Sequence, residues 1–207
     1  MGVPGFSCIV DADLFLRAAS ARGTDAFREF LRGIRIEPCS AGGALLIATD
    51  GHILLALRDP DGVVTGTATV YPSDAFLSAC EPEDDWELDE DGDRVSALRR
   101  PDPRCARRIR CDGHRLEVAA VTRGLAPTPP DGDTLEACFD DPERQLCIIA
   151  GSWVVKDFYA DWRRVLPRQP DPAVPAGPIN PEKTAVLKRA LTTTDAAGVR
   201  MAPHGAD

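Results

Sequence analysis

The stretch LLIATDGHILLAL, Leu45–Leu57, decides the fold class of this chain. Two aliphatic runs, Ala44 to Thr49 and Ile53 to Leu57, flank Asp50-Gly51. An Asp-Gly pair between such runs is a strong hairpin signal, because both residues tolerate positive φ. Just upstream, Gly33-Ile34-Arg35-Ile36-Glu37 alternates apolar and polar residues, the period of a half-buried strand. Earlier still, Phe6 to Val10 is a short apolar strand, and Asp11 is placed to cap a helix whose Leu14, Phe15 and Ala18 share one face. Gly23 and Thr24 break that helix, and Ala26 to Leu31 reads as a further helical turn. The predicted unit is strand, helix, then a three-stranded meander.

Downstream the same logic starts again. Thr67 to Tyr71 is a β-prone run, Pro72 opens a helix at its first turn, and Ala75 to Cys80 continues it. Arg107 to Cys111 and His114 to Val121 flank a second Asp-Gly at 112–113, and Thr134 to Phe139 pairs with Gln145 to Ala150. An approximate repeat of about 60 residues points to internal duplication of one supersecondary unit. The expected fold is α+β, a duplicated helix plus antiparallel β-meander with the helices on one face of the sheet. This domain spans 5–166. Pro167, Pro170, Pro172, Pro175 and Pro178 then make 167–179 a stiff linker. Asn180 caps a helix with Pro181 at its first position, so 180–207 reads as the start of a second, incomplete domain.

Composition excludes several classes. No segment approaches the roughly 18–20 continuous apolar residues of a membrane helix. The N-terminus MGVPGFSCIVDADLF has no basic region and meets Asp11 and Asp13 early, unlike a secretory signal. Phe6 breaks the myristoylation pattern that Gly2 invites. A cytoplasmic protein is expected. Its cysteines at 8, 39, 80, 105, 111, 138 and 147 contain no CxxC pair and read as reduced thiols. Cys105, Cys111 and His114 fall close together, but Cys138 or Cys147 would have to complete a zinc site without paired spacing. Glu87, Asp89, Asp91 and Gly92 imitate the start of a calcium loop, yet Leu98 stands where the closing Glu belongs. His52, His114 and His204 are accompanied by no catalytic motif. Neither an enzyme nor a bound cofactor is expected.

Net charge is −9, which argues against a chain that coats nucleic acid indiscriminately. The distribution is uneven: residues 81–93 hold nine acids and no base, whereas 94–115 hold eight arginines and two acids. Such a pattern suits contact with DNA on one face only.

Three blocks, FREFLRGIRIE (27–37), LLIATDGHILLAL (45–57) and DFYADWRRVLP (157–167), together resemble the middle domain of the bacterial β sliding clamp, the processivity subunit of DNA polymerase III. The family pattern is R-x-x-L-x-G-h-x-h-E, then A-T-D-G-H-R-L, then F-P-D-[YW]-R-R-V-[IL]-P. Here Ile53 stands in place of the family's Arg, and Ala160 in place of its Pro. The Asn-Pro helix at 180–191 sits where the family's last domain begins.

The resemblance implies a non-catalytic ring segment of the clamp fold that tethers a DNA polymerase to duplex DNA without regard to sequence. It implies a pocket for polymerase and clamp-loader peptides formed by Leu31, Thr49, Gly51, His52, Ile53, Leu54, Arg164 and Val165. It also implies DNA-backbone contacts through Arg17, Arg22, Arg28, Lys183, Lys188 and Arg189, and a homo-oligomer, in a shortened or phage-like relative. The competing expectation is a protein-interaction module that keeps the clamp fold without binding DNA. Both require the His52 turn to lie near Arg163-Arg164.

Overall fold

The computed structural model describes residues 3–81, 86–88, 94–96, 105–113, 115–122, 145–150, 153–155, 159 and 161–164. Asp11 sets the first junction. It ends strand β1 (Ser7–Asp11) and caps helix α1 (Ala12–Ala19), its carboxylate accepting the N–H groups of Asp13 at 2.9 Å and Leu14 at 3.0 Å. Two donors that a helix start leaves open are thereby satisfied. A 3-10 segment, Ala26–Arg32, follows under an Asp25 cap. Strands β2 (Ile34–Pro38), β3 (Ala44–Thr49) and β4 (Leu54–Asp59) then form the expected antiparallel meander, and β5 (Val63–Thr65) closes the first half.

The second half runs β6 (Ala68–Tyr71), α2 (Asp74–Cys80), the small hairpin β7 (Trp86–Leu88) and β8 (Arg94–Ser96), then β9 (Cys105–Cys111), β10 (Arg115–Thr122), β11 (Gln145–Ala150) and β12 (Trp153–Val155). Two five-stranded antiparallel sheets result, ordered β5-β1-β9-β10-β11 and β12-β6-β2-β3-β4. Exchanging β1 with β6, β2 with β9, β3 with β10, β4 with β11 and β5 with β12 turns one order into the other. Each half thus donates its helix-leading strand, with the short strand beside it, to the meander of the other half.

This corrects the expected single sheet with helices on one face. Among the described residues there are two five-stranded sheets besides the β7–β8 hairpin, and α1 packs against strands of both large ones. One core joins them: Val10, Ile109, Leu116 and Val118 from the first sheet, Ile34, Ile36, Leu46 and Val70 from the second, and Phe15 and Phe76 from the helices. The two phenyl rings meet edge to face, 6.1 Å between centroids at 84°, a favoured aromatic arrangement.

Two local details also differ from expectation. Ser73, not Pro72, begins α2: its hydroxyl accepts the Phe76 N–H at 3.1 Å, leaving Pro72 just outside the helix. The β3–β4 connection is wider than a two-residue turn, since Thr49 pairs with Leu54. There Asp50 accepts the N–H groups of both His52 and Ile53, at 2.8 Å each, a side-chain turn that competes with the tight hairpin. The Thr134–Phe139 strand, the 167–179 linker and the 180–207 segment lie outside the described residues.

Asp59 fastens the two halves at the strand crossover. It is 2% exposed. One carboxylate oxygen accepts the Asp11 N–H at 2.7 Å and Arg108 Nη1 at 2.9 Å; the other accepts the Asp61 N–H at 3.2 Å. Removing one member of a buried pair strands the other's charge, at a cost of about 3–5 kcal/mol. Asp59→Ala is therefore expected to lower unfolding stability by about that amount. Urea denaturation checks it, the midpoint falling with an unchanged slope.

Candidate functional site

Alternation along β3 gives the second sheet two apolar faces. Leu46 and Ala48 enter the main core, while Ile47, fully buried, belongs to a separate cluster with Tyr159 and Trp162, bordered by Leu45 and Leu54. Tyr159 and Trp162 are thereby seated on the outer face of the β3–β4 pair. Leu54 lies two residues beyond His52, so two of the three sequence blocks meet here.

Polar contacts fix the seating. Tyr159 donates its hydroxyl to the Ile47 carbonyl at 3.4 Å. Arg163 pairs with Glu37 and stacks over the Trp162 ring, 4.3 Å from its centroid. Glu37, only 5% exposed, also accepts Arg35 Nε at 3.2 Å. The Arg35 guanidinium in turn lies 6.0 Å from the centre of the Tyr159 ring, within reach of a cation–π attraction. A 3-10 turn, Trp162–Arg164, closes with the Arg164 N–H on the Asp161 carbonyl at 3.0 Å, leaving the Arg164 side chain exposed.

The first block reaches the same end of the sheet. Gly51 has φ +92°, and a Cβ there would sit 3.3 Å from Arg28 Nη1 and 3.7 Å from Leu31 Cδ1. Positive φ is what glycine permits at little cost. The Thr49 hydroxyl accepts the Gly51 N–H at 3.0 Å. Leu31 is buried, and its carbonyl accepts the Gly23 N–H at 2.8 Å.

Leu31, Thr49, Gly51 and Leu54 therefore share one region with the Trp162–Arg164 turn. His52 is exposed on the loop, and Ile53 turns toward the main core. Val165 lies outside the described residues.

The basic residues are placed differently. Arg17 pairs with Asp13 one turn earlier on α1. Arg22 bridges to the start of α2, donating to the Pro72 carbonyl at 3.1 Å and to Asp74 at 2.7 Å. Arg28 stands beside Gly51, with the pocket residues. Lys183, Lys188 and Arg189 lie outside the described residues, as do His114 and His204.

Within the arginine-rich stretch, Arg107, Arg108, Arg110 and Arg115 are committed to partners inside the chain. Arg107 donates to the carbonyls of Ala79, at 3.0 Å, and Glu81 at the end of α2. Arg108 holds Asp59, and Arg110 and Arg115 hold the buried Glu117 at 2.6 and 2.7 Å. Sequence reading marked this run as a surface patch and missed that use, because the acidic partners of Arg108 lie far away in sequence.

Among the described residues no helix is long and apolar enough to cross a membrane, and no three His, Cys, Asp or Glu side chains are grouped to hold a metal ion. No protein-family model, curated protein or solved structure matches the chain.

Burial pushes the Tyr159 phenol above its ordinary value, and the backbone hydrogen bond at Thr49 only partly offsets it. The folded protein thus requires a neutral phenol, whereas the unfolded chain ionises near pH 10. The stability from Tyr159 is complete below that pH and is lost as pH rises above it. Urea midpoints between about pH 8 and 11 are expected to fall more steeply for the parent protein than for Tyr159→Phe.

Proposed function

We propose that this chain is a sliding-clamp-like processivity factor, a segment of a ring that tethers a DNA polymerase to duplex DNA and docks short partner peptides. Residues 5–166 are the clamp-like domain in this reading, 167–179 its linker, and 180–207 the beginning of another such domain. The protein is a cytoplasmic homo-oligomer with no cofactor and no catalytic step. The observation that carries the reading is the convergence of the three blocks at one end of the second sheet: Leu31 and Arg28 against Gly51, and Tyr159 and Trp162 against Ile47 beside Leu54. The reciprocal duplication of helix and meander supports it as well. A short peptide would place apolar side chains beside Leu54, with exposed glycine backbone at Gly51 allowing close approach.

A second reading, an interaction module that does not bind DNA, is favoured by the state of the arginines on α1 and just after it. Arg17 and Arg22 each face a carboxylate, Asp13 and Asp74, and the net charge is −9. Phosphate binding needs cations free to replace counterions.

One pair of experiments decides. Loaded onto nicked circular DNA with a clamp loader, the protein is expected to stay bound through gel filtration and to leave when the circle is cut. Absence of retention rejects the tether. A fluorescent apolar peptide from a polymerase tail is expected to bind, with Leu54→Glu weakening it at least about tenfold. Peptide binding without DNA retention selects the module, and loss of both rejects the clamp reading altogether.

A further inference from the structure

The two sheets differ at the seams where donated strands join. In the second sheet the β2–β6 seam sets Ile34 against Val70 and Ile36 against Ala68. In the first sheet the β1–β9 seam sets Cys8 directly opposite Cys111. Both cysteines belong to the main core, 2% and 0% exposed, and their side chains are hydrogen-bonded to each other.

We infer that Cys8 and Cys111 are a reversible dithiol–disulfide pair that staples the donated strand β1 to the opposite half of the molecule. Residues directly opposed in an antiparallel ladder have Cα atoms about 4.5–5.5 Å apart, inside the roughly 4.4–6.8 Å that a disulfide spans. The register thus brings the two backbones within bridging range. Placement also favours Cys111 as the attacking thiol. It receives the hydrogen bond of Cys8 and a backbone hydrogen bond involving Gly113, which together hold it below the ordinary thiol value, while Cys8 is held above. Cys111 is the last residue of β9, followed by the exposed Asp112, so the path from solvent is short.

A hydroperoxide is the oxidant whose size suits a covered site. The Cys111 thiolate attacks one oxygen of hydrogen peroxide, the O–O bond breaks, and Cys111 becomes a sulfenic acid as the released hydroxide takes up a proton. The Cys8 sulfur then attacks the Cys111 sulfur, the S–O bond breaks, and the departing hydroxide leaves as water with the Cys8 proton. Two thiols and one peroxide give one disulfide and two waters.

The test is exposure of the native full chain to hydrogen peroxide, followed by intact mass and tryptic mapping under non-reducing conditions. The expected product is about 2 Da lighter, joins peptide 1–17 to peptide 111–115, and reverts with dithiothreitol. Its melting temperature is expected to rise by about 5 °C. In Cys8→Ala the sulfenic acid has no partner, so dimedone is expected to label Cys111 there but not in the parent protein. The inference is overturned if the link forms only after unfolding in urea. It is equally overturned if Cys111 bonds another cysteine, or if dimedone labels Cys111 in the parent protein.

Discussion

The hydrogen-bonded ladder between each donated strand and the other half's meander is the constraint on which the molecule depends. β1 lies between β5 of its own half and β9 of the other, and β6 lies between β12 and β2. Remove either donor and a meander keeps an open edge with unpaired backbone groups, which are costly wherever water is excluded. The helices follow from this arrangement. Each begins where its donated strand ends, so α1 and α2 are delivered to the same interior and their phenylalanines meet. Asp59 belongs to the same logic, because its carboxylate receives the β1 terminus and an arginine of β9 together.

The second sheet carries a further layer. Its inward face completes the main core, and its outward face is covered by Tyr159 and Trp162 through Ile47. Burying such aromatic area is worth about 2–3 kcal/mol per side chain, more than the partly exposed Arg163–Glu37 pair supplies. Apolar contact thus holds the segment, and the charges fix its orientation. Several of the described arginines serve internal purposes: capping the end of α2, neutralising buried Glu117 and Asp59, and bridging the segment after α1 to the start of α2. An acidic chain with many arginines is in this way left with fewer outward positive charges than its composition suggests.

Local pattern carried the elements well. The Asp11 cap, the alternation over 34–37 and the strands around both Asp-Gly pairs were readable because each rests on neighbours within a few residues. Duplication was readable from the order of those elements. Sheet membership was not, since nothing in Ser7–Asp11 says that its partner is Cys105–Cys111. The three-residue strands β5 and β12 are too short to show a period. Pro72 misled because a proline just before a cap and one at the first helical position differ only in where the serine hydroxyl points. For the candidate site, Leu31, Gly51 and Leu54 were found through the resemblance to a known family. The seat formed by Tyr159 and Trp162 was named only as part of a block. The Arg35–Glu37–Arg163 clasp has no sequence signal, because one member lies far along the chain.

The interleaving of halves also dictates the order in which the protein can be completed during synthesis. β1 leaves the ribosome early, yet its neighbour β9 follows only after roughly a hundred more residues. The first meander receives β6 soon after β4 is made, but β1 waits with one side unmatched. High separation between partners slows folding and prolongs the exposure of sticky edges. The nascent chain therefore passes through a long half-built stage, the interval in which a holding chaperone has most to offer it.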